Sequence, residues 1–529
     1  MLIQVERFAR QKNALNRELR TTTNYENKVA NNFQPPAEPL VERNAFRQAE
    51  AQPSTVPAFA AVQPSLPVPV LPEDPAWERL YWVAWEALWS RLRPPPAGSR
   101  LVAPFAHPGE NANLEMGASS FVAQLSGYLP AEFRLADSLN NFYARQHDDG
   151  CIVRELDPNT GEDCHEAYGP NSAGPNTLAW AEWRRFRLTG DTQRVAEVFW
   201  PLLAYHRWMR LNRTWPNGLY WTTSYASGLA NQPRVPNGRY HHRHWAWVDA
   251  TAQAVLSASL LERMAVLLGE QEAADECAAE RSALTQTFND AMWNGEQSFY
   301  QDTAPDGRFS AAKSIGAYWA LHEPRLIPTD RLTPFIQHLR DTWSFRTPTV
   351  LPSLSADSEG YNARTGNCCR GAVWPALTYM VVRGLFVAGQ PSLAHKLAVS
   401  HVEAVTQVYG DTARLWENYA PEDMAPGEPA AEDLTGQSAA GIVALVLEGV
   451  LGLSMDWPLR QVRWRRDLAR AEGYGVRNLA LGREGTLDLF TAGKRVSIRT
   501  DVPFTLVLAA GQDVVQTAVP SGSFEIELD

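Results

Sequence analysis

Trp77-Glu78-Arg79-Leu80-Tyr81-Trp82-Val83-Ala84-Trp85-Glu86-Ala87-Leu88-Trp89-Ser90-Arg91-Leu92 opens the regular part of this chain. Trp77, Leu80, Tyr81, Ala84, Leu88 and Leu92 recur at the spacing that gathers side chains on one face of an α-helix. The same periodicity predicts helices at about 119–128, 132–147, 176–189, 192–212, 248–268, 270–291, 311–321, 329–341, 371–388, 391–408 and 435–452. Between many of them lie long loops rich in Gly, Pro, Asn and aromatic residues, at 148–175, 214–247, 343–370 and 409–434. Long ordered loops inside a compact domain usually carry function. About twelve helices with long loops after alternate members predict a mainly α fold, an (α/α)6 toroid. In it six inner helices are ringed by six outer ones, and the loops at one end make a funnel-shaped pocket.

The flanks read differently. Pro35 to Pro75 holds ten prolines and little hydrophobic periodicity, which predicts an extended or disordered arm over residues 1–75. Residues 8–20 have the pattern of a short basic helix. After Trp457 the period changes to two, in Val476–Leu481, Thr486–Phe490, Val496–Arg499, Phe504–Leu508 and Phe524–Leu528, with Gly482, Gly485, Gly493, Gly511 and Gly522 between runs. This predicts a small antiparallel β unit. The expected organisation is therefore an N-terminal arm at 1–75, a helical domain at 76–456 and a β-rich domain at 457–529.

Composition narrows the function. The 529 residues include 48 Lys+Arg and 59 Asp+Glu, a formal net charge of -11, which disfavours binding to phosphate backbones. No apolar run approaches the ~20 residues of a membrane span. The charged stretch Met1–Arg20 lacks the apolar core of a secretion signal. Five cysteines are too few and odd for a disulfide framework and suit a reducing compartment, so a cytoplasmic location is expected. The 19 tryptophans suit either a large core or a sugar pocket, where indole faces pack on pyranose rings.

Among motifs, His241, His242 and His244 are interleaved with arginine and lack a second ligand cluster, so they read as a basic loop and no metal site is expected. Cys368 and Cys369 are adjacent and cannot form the usual chelate. Neither a phosphate loop nor a nucleophile elbow is present, and no cofactor is expected. Paired carboxylates remain. Cleaving a glycosidic bond needs an acid for the departing oxygen and a base or nucleophile on the opposite face of the sugar. The loops 148–175, 214–249 and 409–434 contain suitable acids.

Six collinear stretches carry a resemblance. They are Gln146-His147-Asp148-Asp149-Gly150 with Arg154-Glu155; Pro175 through Trp183; Tyr220 with Ser227 through Arg234; Arg370-Gly371-Ala372-Val373-Trp374-Pro375; Leu415-Trp416-Glu417-Asn418-Tyr419-Ala420-Pro421; and Asp433 through Leu453. Together, over roughly 75–460, they resemble the trehalase-like inverting glycoside hydrolases, the group that includes trehalases, the processing α-glucosidases and bacterial mannosylglycerate hydrolases. The resemblance implies an (α/α)6 barrel, with Glu417 at the position of the general base that activates water. It also implies a substrate pocket lined by Arg370, Gly371, Trp374, Trp416, Tyr419, Asn231, Arg234, Gln146, Asp149 and Ala118. Asp249 and Glu182 match positions with bracing roles.

The departures are as informative. The resemblance puts the general acid, an Asp, at Ala230, and a methyl group cannot donate a proton. The sugar-lining Asp of the barrel entrance is replaced within Gly117-Ala118, a helix Trp by Gln437, and an aromatic pair by Cys368-Cys369. General acid catalysis is worth ~10²–10⁴ in rate. Three functions therefore stand open. One is an inverting α-glycosidase for small glucosides that uses a substitute acid from Asp157, Glu166 or His241–His244. Another is a repurposed enzyme in which Glu417 acts as acid or base on a larger, non-sugar or glycosylated ligand. The third is a non-catalytic carbohydrate-binding or scaffold protein that meets a protein partner through the N-terminal arm. The expected ligand is a small molecule or carbohydrate in the barrel pocket, with no nucleic acid and no membrane.

Overall fold

A computed structural model of the chain describes residues 37–51, 55–109, 112–129, 135–432, 436–466, 470, 473–510 and 513–527. The basic helix expected at 8–20 lies outside them. The described structure is mostly helical, with β-strands concentrated at the C-terminal end.

Val248–Leu268 shows why these segments are helices. It is apolar on almost every side, long and apolar enough by composition to cross a bilayer, and 72% of that stretch is buried inside the protein. A helix that is hydrophobic all round belongs in a core. Asp249 sits in its first turn, and Gly269, at φ +76°, ends it in the left-handed conformation that costs glycine little. On one side Val248–Leu268 packs against Leu178–Thr189, which packs against Met116–Ala123. On the other it packs against the 3-10 helix Ile315–His322, which meets Pro375–Val387, and that helix meets Gly436–Ala444. Gly436–Ala444 returns to Met116–Ala123. A second set backs these segments: Pro75–Arg91 on Gly436–Ala444, Thr192–Asn212 and Gln271–Met292 on Val248–Leu268, and Pro391–Thr412 on Pro375–Val387.

Four expected helices take other forms, two of them through 3-10 turns at Gln124–Tyr128 and Ile315–His322. The run at 132–147 is a 3-10 turn at Leu135–Leu139 followed by a short helix at Asn140–Ala144. The buried Asn141 amide is drawn to another segment, accepting from Val102 N and Ala103 N and donating to Ala103 O at 2.7–3.0 Å. The last helix passes into a π-helical turn at Leu445–Val450. That turn carries the buried Glu448, which pairs with Arg184 at 2.8 Å and accepts from the Tyr128 hydroxyl at 2.9 Å and the Tyr379 hydroxyl at 3.2 Å.

The C-terminal part forms two sheets. The first is antiparallel throughout, in the order Val68–Val70, Tyr474–Leu481, Gly485–Ala492, Arg495–Thr500, Gly522–Glu527. The second runs Asp513–Val519, Phe504–Ala510, Gln461–Arg466, Leu453–Asp456. Here the expectation of a purely antiparallel unit is corrected, because Phe504–Ala510 lies parallel to Gln461–Arg466. The intervening strands Tyr474 to Thr500 belong to the other sheet, so the chain leaves and re-enters in the same direction. Leu453–Asp456 also begins ahead of the expected start at 457.

Residues 37–51 and 55–74 lie against both parts. The Asn44 amide donates to Tyr143 O and to the Gln146 side chain, Val62, Leu66 and Leu71 are fully buried, and Val68–Val70 completes the antiparallel sheet.

Candidate active site

The N-terminal ends of the alternate helices bring the motif residues together. Trp374 immediately precedes Pro375–Val387, Asp249 lies in the first turn of Val248–Leu268, Glu115 immediately precedes Met116–Ala123, and Glu417 lies on the strand-like loop before Gly436–Ala444. That loop is held by backbone pairing: Val373 and Tyr419 exchange hydrogen bonds at 2.8 and 2.9 Å, and Glu417 N donates to Ala431 O at 3.0 Å. Ser438 donates to Glu417 O at 2.8 Å, tying the loop to the helix that follows.

Glu417 is half-buried, and among the described residues its carboxyl makes one weak contact, from Ala431 N at 3.4 Å. Burial pushes its pKa up from the usual 4.5 to about 7, with the negative charge of Glu115 adding to the rise and the Ala431 N–H opposing it. A carboxyl poised there can hold or release a proton near neutrality, as a general base or acid must.

The loop carrying Ala230 reaches the same place. Asn231 donates through Nδ2 to Asn367 O at 2.8 Å, and its Oδ1 accepts from Cys369 N at 2.9 Å. Arg370 Nε donates to Asn231 O at 3.3 Å, and Trp374 Nε1 donates to Cys368 O at 3.4 Å. The Cys368 and Cys369 sulfurs are 3.4 Å apart. Cys369 Sγ donates to Gly228 O at 3.9 Å, and the Glu417 charge acts on Cys368. The loop that carries Ala230 is thus joined to the Cys368-Cys369 turn, which feels the Glu417 charge.

Other expected pocket residues are committed elsewhere. Arg234 is fully buried between two carboxylates, Asp249 at 2.7 and 3.0 Å and Asp302 at 2.5 and 2.6 Å, so it braces the loop and has no free face for a ligand. Gln146 is buried and donates to Gly150 O and Pro201 O. Asp149 accepts from Cys151 N and Trp208 Nε1 at 3.0 Å and from the Tyr168 hydroxyl. Tyr419 is fully buried, with its hydroxyl accepting from Trp416 N at 3.2 Å. The Trp416 indole donates to Thr412 at 3.2 Å. Gly371, at φ +135°, is needed because a Cβ there would stand 2.7 Å from the Tyr361 ring. Ala118 is half-buried, next to Gly117, whose Cα faces Pro175. Arg370 is half-buried and makes no ion pair among the described residues.

The substitute acids lie outside this group. Asp157 accepts from Asn159 N at 2.8 Å and Thr160 N at 3.0 Å in its own turn, and Glu166 is exposed. The His242 ring lies against Trp215 and Trp221, at 5.0 and 4.5 Å, and its pKa is pushed down to about 3 by burial and by the charges of His241 and His244. The carboxylate whose charge reaches Glu417 is Glu115, which faces Arg154 at 3.9 Å. Arg154 is itself bound to the buried Glu155, and its guanidinium lies 4.9 Å from the centre of the Tyr225 ring. Although burial opposes it, Arg154 holds the Glu155 carboxyl well below the usual range, helped by His165 and Asn113. Sequence reading missed Glu115. Its only signal is its place just ahead of Met116-Gly117-Ala118. Among the described residues, no group of three or more His, Cys, Asp or Glu is arranged to hold a metal ion.

Residues 118–433 match the family model of the mannosylglycerate hydrolase MGH1-like glycoside hydrolase domain. The chain belongs to this glycoside hydrolase family. An uncharacterized protein of Borreliella burgdorferi is 24% identical over 380 residues, spanning 70% of this chain and 77% of that protein. Among solved structures, the fold is similar to the GH63 mannosylglycerate hydrolase from Thermus thermophilus in complex with glucose. That similarity has a TM-score of 0.54 at 21% identity and covers 69% of this chain and 99% of the other. A GH78 family rhamnosidase of a Bacillus species is similar with a TM-score of 0.58 at 15% identity, over 83% of this chain and 42% of that one. The likeness to these structures is one of fold.

Proposed function

We propose that this chain is an inverting α-glycosidase on an (α/α)6 toroid, acting on small glycosides, with Glu417 as the base that activates water and no proton donor at position 230. The cyclic packing of the six inner segments supports the toroid. The observation that carries the function is the Glu417 carboxyl, shifted to about 7, whose charge reaches the turn joined to the loop that carries Ala230. Without an acid the leaving group departs unprotonated, so the site suits glycosides with a good leaving group. The five cysteines are free thiols, which supports a reducing, cytoplasmic setting.

Glycosyl fluorides test this directly, because fluoride leaves without protonation. Wild-type protein should release fluoride from α-glucosyl or α-mannosyl fluoride, with a rate that rises through pH ~7 as Glu417 ionises. Glu417→Gln should lower that rate by ~10²-fold or more, the usual worth of a general base. Equal fluoride release by the two proteins sinks the assignment. A second reading reverses the roles: Glu417, protonated up to about pH 7, donates the proton, and Glu115, which acts on it as a negative charge and faces Arg154, activates water. It requires that Glu417→Gln abolish hydrolysis of an unactivated α-glycoside while sparing that of the fluoride.

A further inference from the structure

The helices whose N-terminal ends make the Glu417 site frame a cavity of about 350 Å³ at their opposite ends. Its walls come from the C-terminal halves of Leu178–Thr189, Val248–Leu268 and Pro375–Val387, and strands Leu453–Asp456 and Gln461–Arg466 close it. Six arginines line it: Arg184, Arg187, Arg263, Arg383, Arg463 and Arg465. In a chain of net charge -11 this is a marked local reversal of sign.

The arginines are only partly matched. Glu448 serves Arg184 at 2.8 Å and Arg383 at 3.6 Å, Asp456 serves Arg187 at 2.7 Å, and Glu323 serves Arg263 at 3.1 Å. Arg463 and Arg465 make no ion pair among the described residues, and the Arg465 guanidinium lies 4.9 Å from the centre of the Phe386 ring. Nε and Nη1 of Arg184 and Nε of Arg187 are buried without a hydrogen-bond partner. The helix C-termini that converge here each contribute roughly half a negative charge. They offset part of the charge but leave those N–H groups without acceptors. Burial chiefly, with the repulsion of Arg463 and Arg383, lowers the Arg465 pKa to about 10.

Guanidinium forks match phosphate oxygens in pairs, and a phosphate dianion supplies charge and acceptors for the unpaired Arg463 and Arg465. Trp183 and Phe386 in the wall give the organic part of a ligand an apolar flank, and the volume is that of a small-molecule site. We propose that this cavity binds a small phosphate monoester of about the size of a hexose phosphate. The site is separate from the Glu417 pocket and does not depend on the reading given for it.

Calorimetric titration of the full chain at physiological salt tests it, with glucose 6-phosphate, inorganic phosphate and glucose as probes. Glucose 6-phosphate should bind more tightly than phosphate, and glucose should not bind in this cavity. The double variant Arg463→Ala/Arg465→Ala removes side chains that make no ion pair, so it should fold and weaken glucose 6-phosphate binding at least ten-fold. Arg463→Lys/Arg465→Lys keeps the charge, loses the forks and should fall between. Glu417→Gln should bind as the wild type does. Absence of glucose 6-phosphate binding, or equal binding by the double alanine variant, overturns the proposal. Phosphate binding with no gain from the sugar overturns its monoester part.

Discussion

At the scale of the residue, the decisive group is the Glu417 carboxyl. Its neighbourhood offers little that stabilises a negative charge, and Glu115 adds a second one. The sign of the coupling can be tested. Removing the Glu115 charge favours ionised Glu417 and lowers its pKa below about 7. The base is then ready at lower pH, so the acid limb of fluoride release should move toward lower pH in Glu115→Gln. Glycosyl fluorides make the reading clean, because no donor is required. A limb that stays in place would mean that the two carboxylates do not feel each other. In the proposed function Ala230 is the counterpart, a methyl at the position where the resemblance puts the proton donor.

At the scale of the element, the loop 227–234 is joined to 366–370 mainly by one side chain. Asn231 makes two good hydrogen bonds across the gap, each worth ~0.5–1.5 kcal/mol net. Asn231→Ala should cost ~1–3 kcal/mol by denaturant titration and free the turn holding Cys368. Cys368 should then react faster with iodoacetamide, as read by mass spectrometry. Unchanged alkylation would show that Gly366 and Arg370 backbone pairing alone holds the turn. Sequence made the helices legible, because Val248–Leu268 and its neighbours carry strong apolar periodicity. It also made legible the loops that hold Glu417 and Ala230, because their motifs are local. Illegible were the partners made by folding. Arg234 looks like a ligand-binding arginine until Asp302, 68 residues away, closes on it. Glu115 belongs to no motif and acquires meaning only where its helix start meets the Glu417 loop. In the described part of 132–147 the helix is confined to Asn140–Ala144, where the Asn141 side chain is bonded to the backbone at 102–103, a contact no periodicity reports. The parallel strand pair was hidden because pattern within a strand says nothing of its partner's direction.

At the scale of the molecule, the segment before Pro75 fastens the helical part to the sheets. The Tyr81 hydroxyl donates to Pro67 O at 2.6 Å and the Trp89 indole to Pro57 O at 2.7 Å, both from Pro75–Arg91. On the other side the Asn478 amide donates to Pro64 O and Leu66 O at 3.1 and 3.2 Å, and Val68–Val70 pairs with Tyr474–Leu481. Leu66 lies between these attachments and is fully buried. Deleting a buried leucine side chain typically costs ~2–5 kcal/mol through lost transfer energy and the cavity left behind, roughly 4 at a site that cannot collapse. If the segment couples the two parts, Leu66→Ala should lower the melting temperature of both together. Tryptophan fluorescence, dominated by the helical part, and far-ultraviolet dichroism should then report one shared transition. Two separated transitions in the variant would mean that the sheets fold independently. The Arg-lined cavity would then have to be regarded as a gap between independent units, because its strands Leu453–Asp456 and Gln461–Arg466 belong to the sheets and its helices do not.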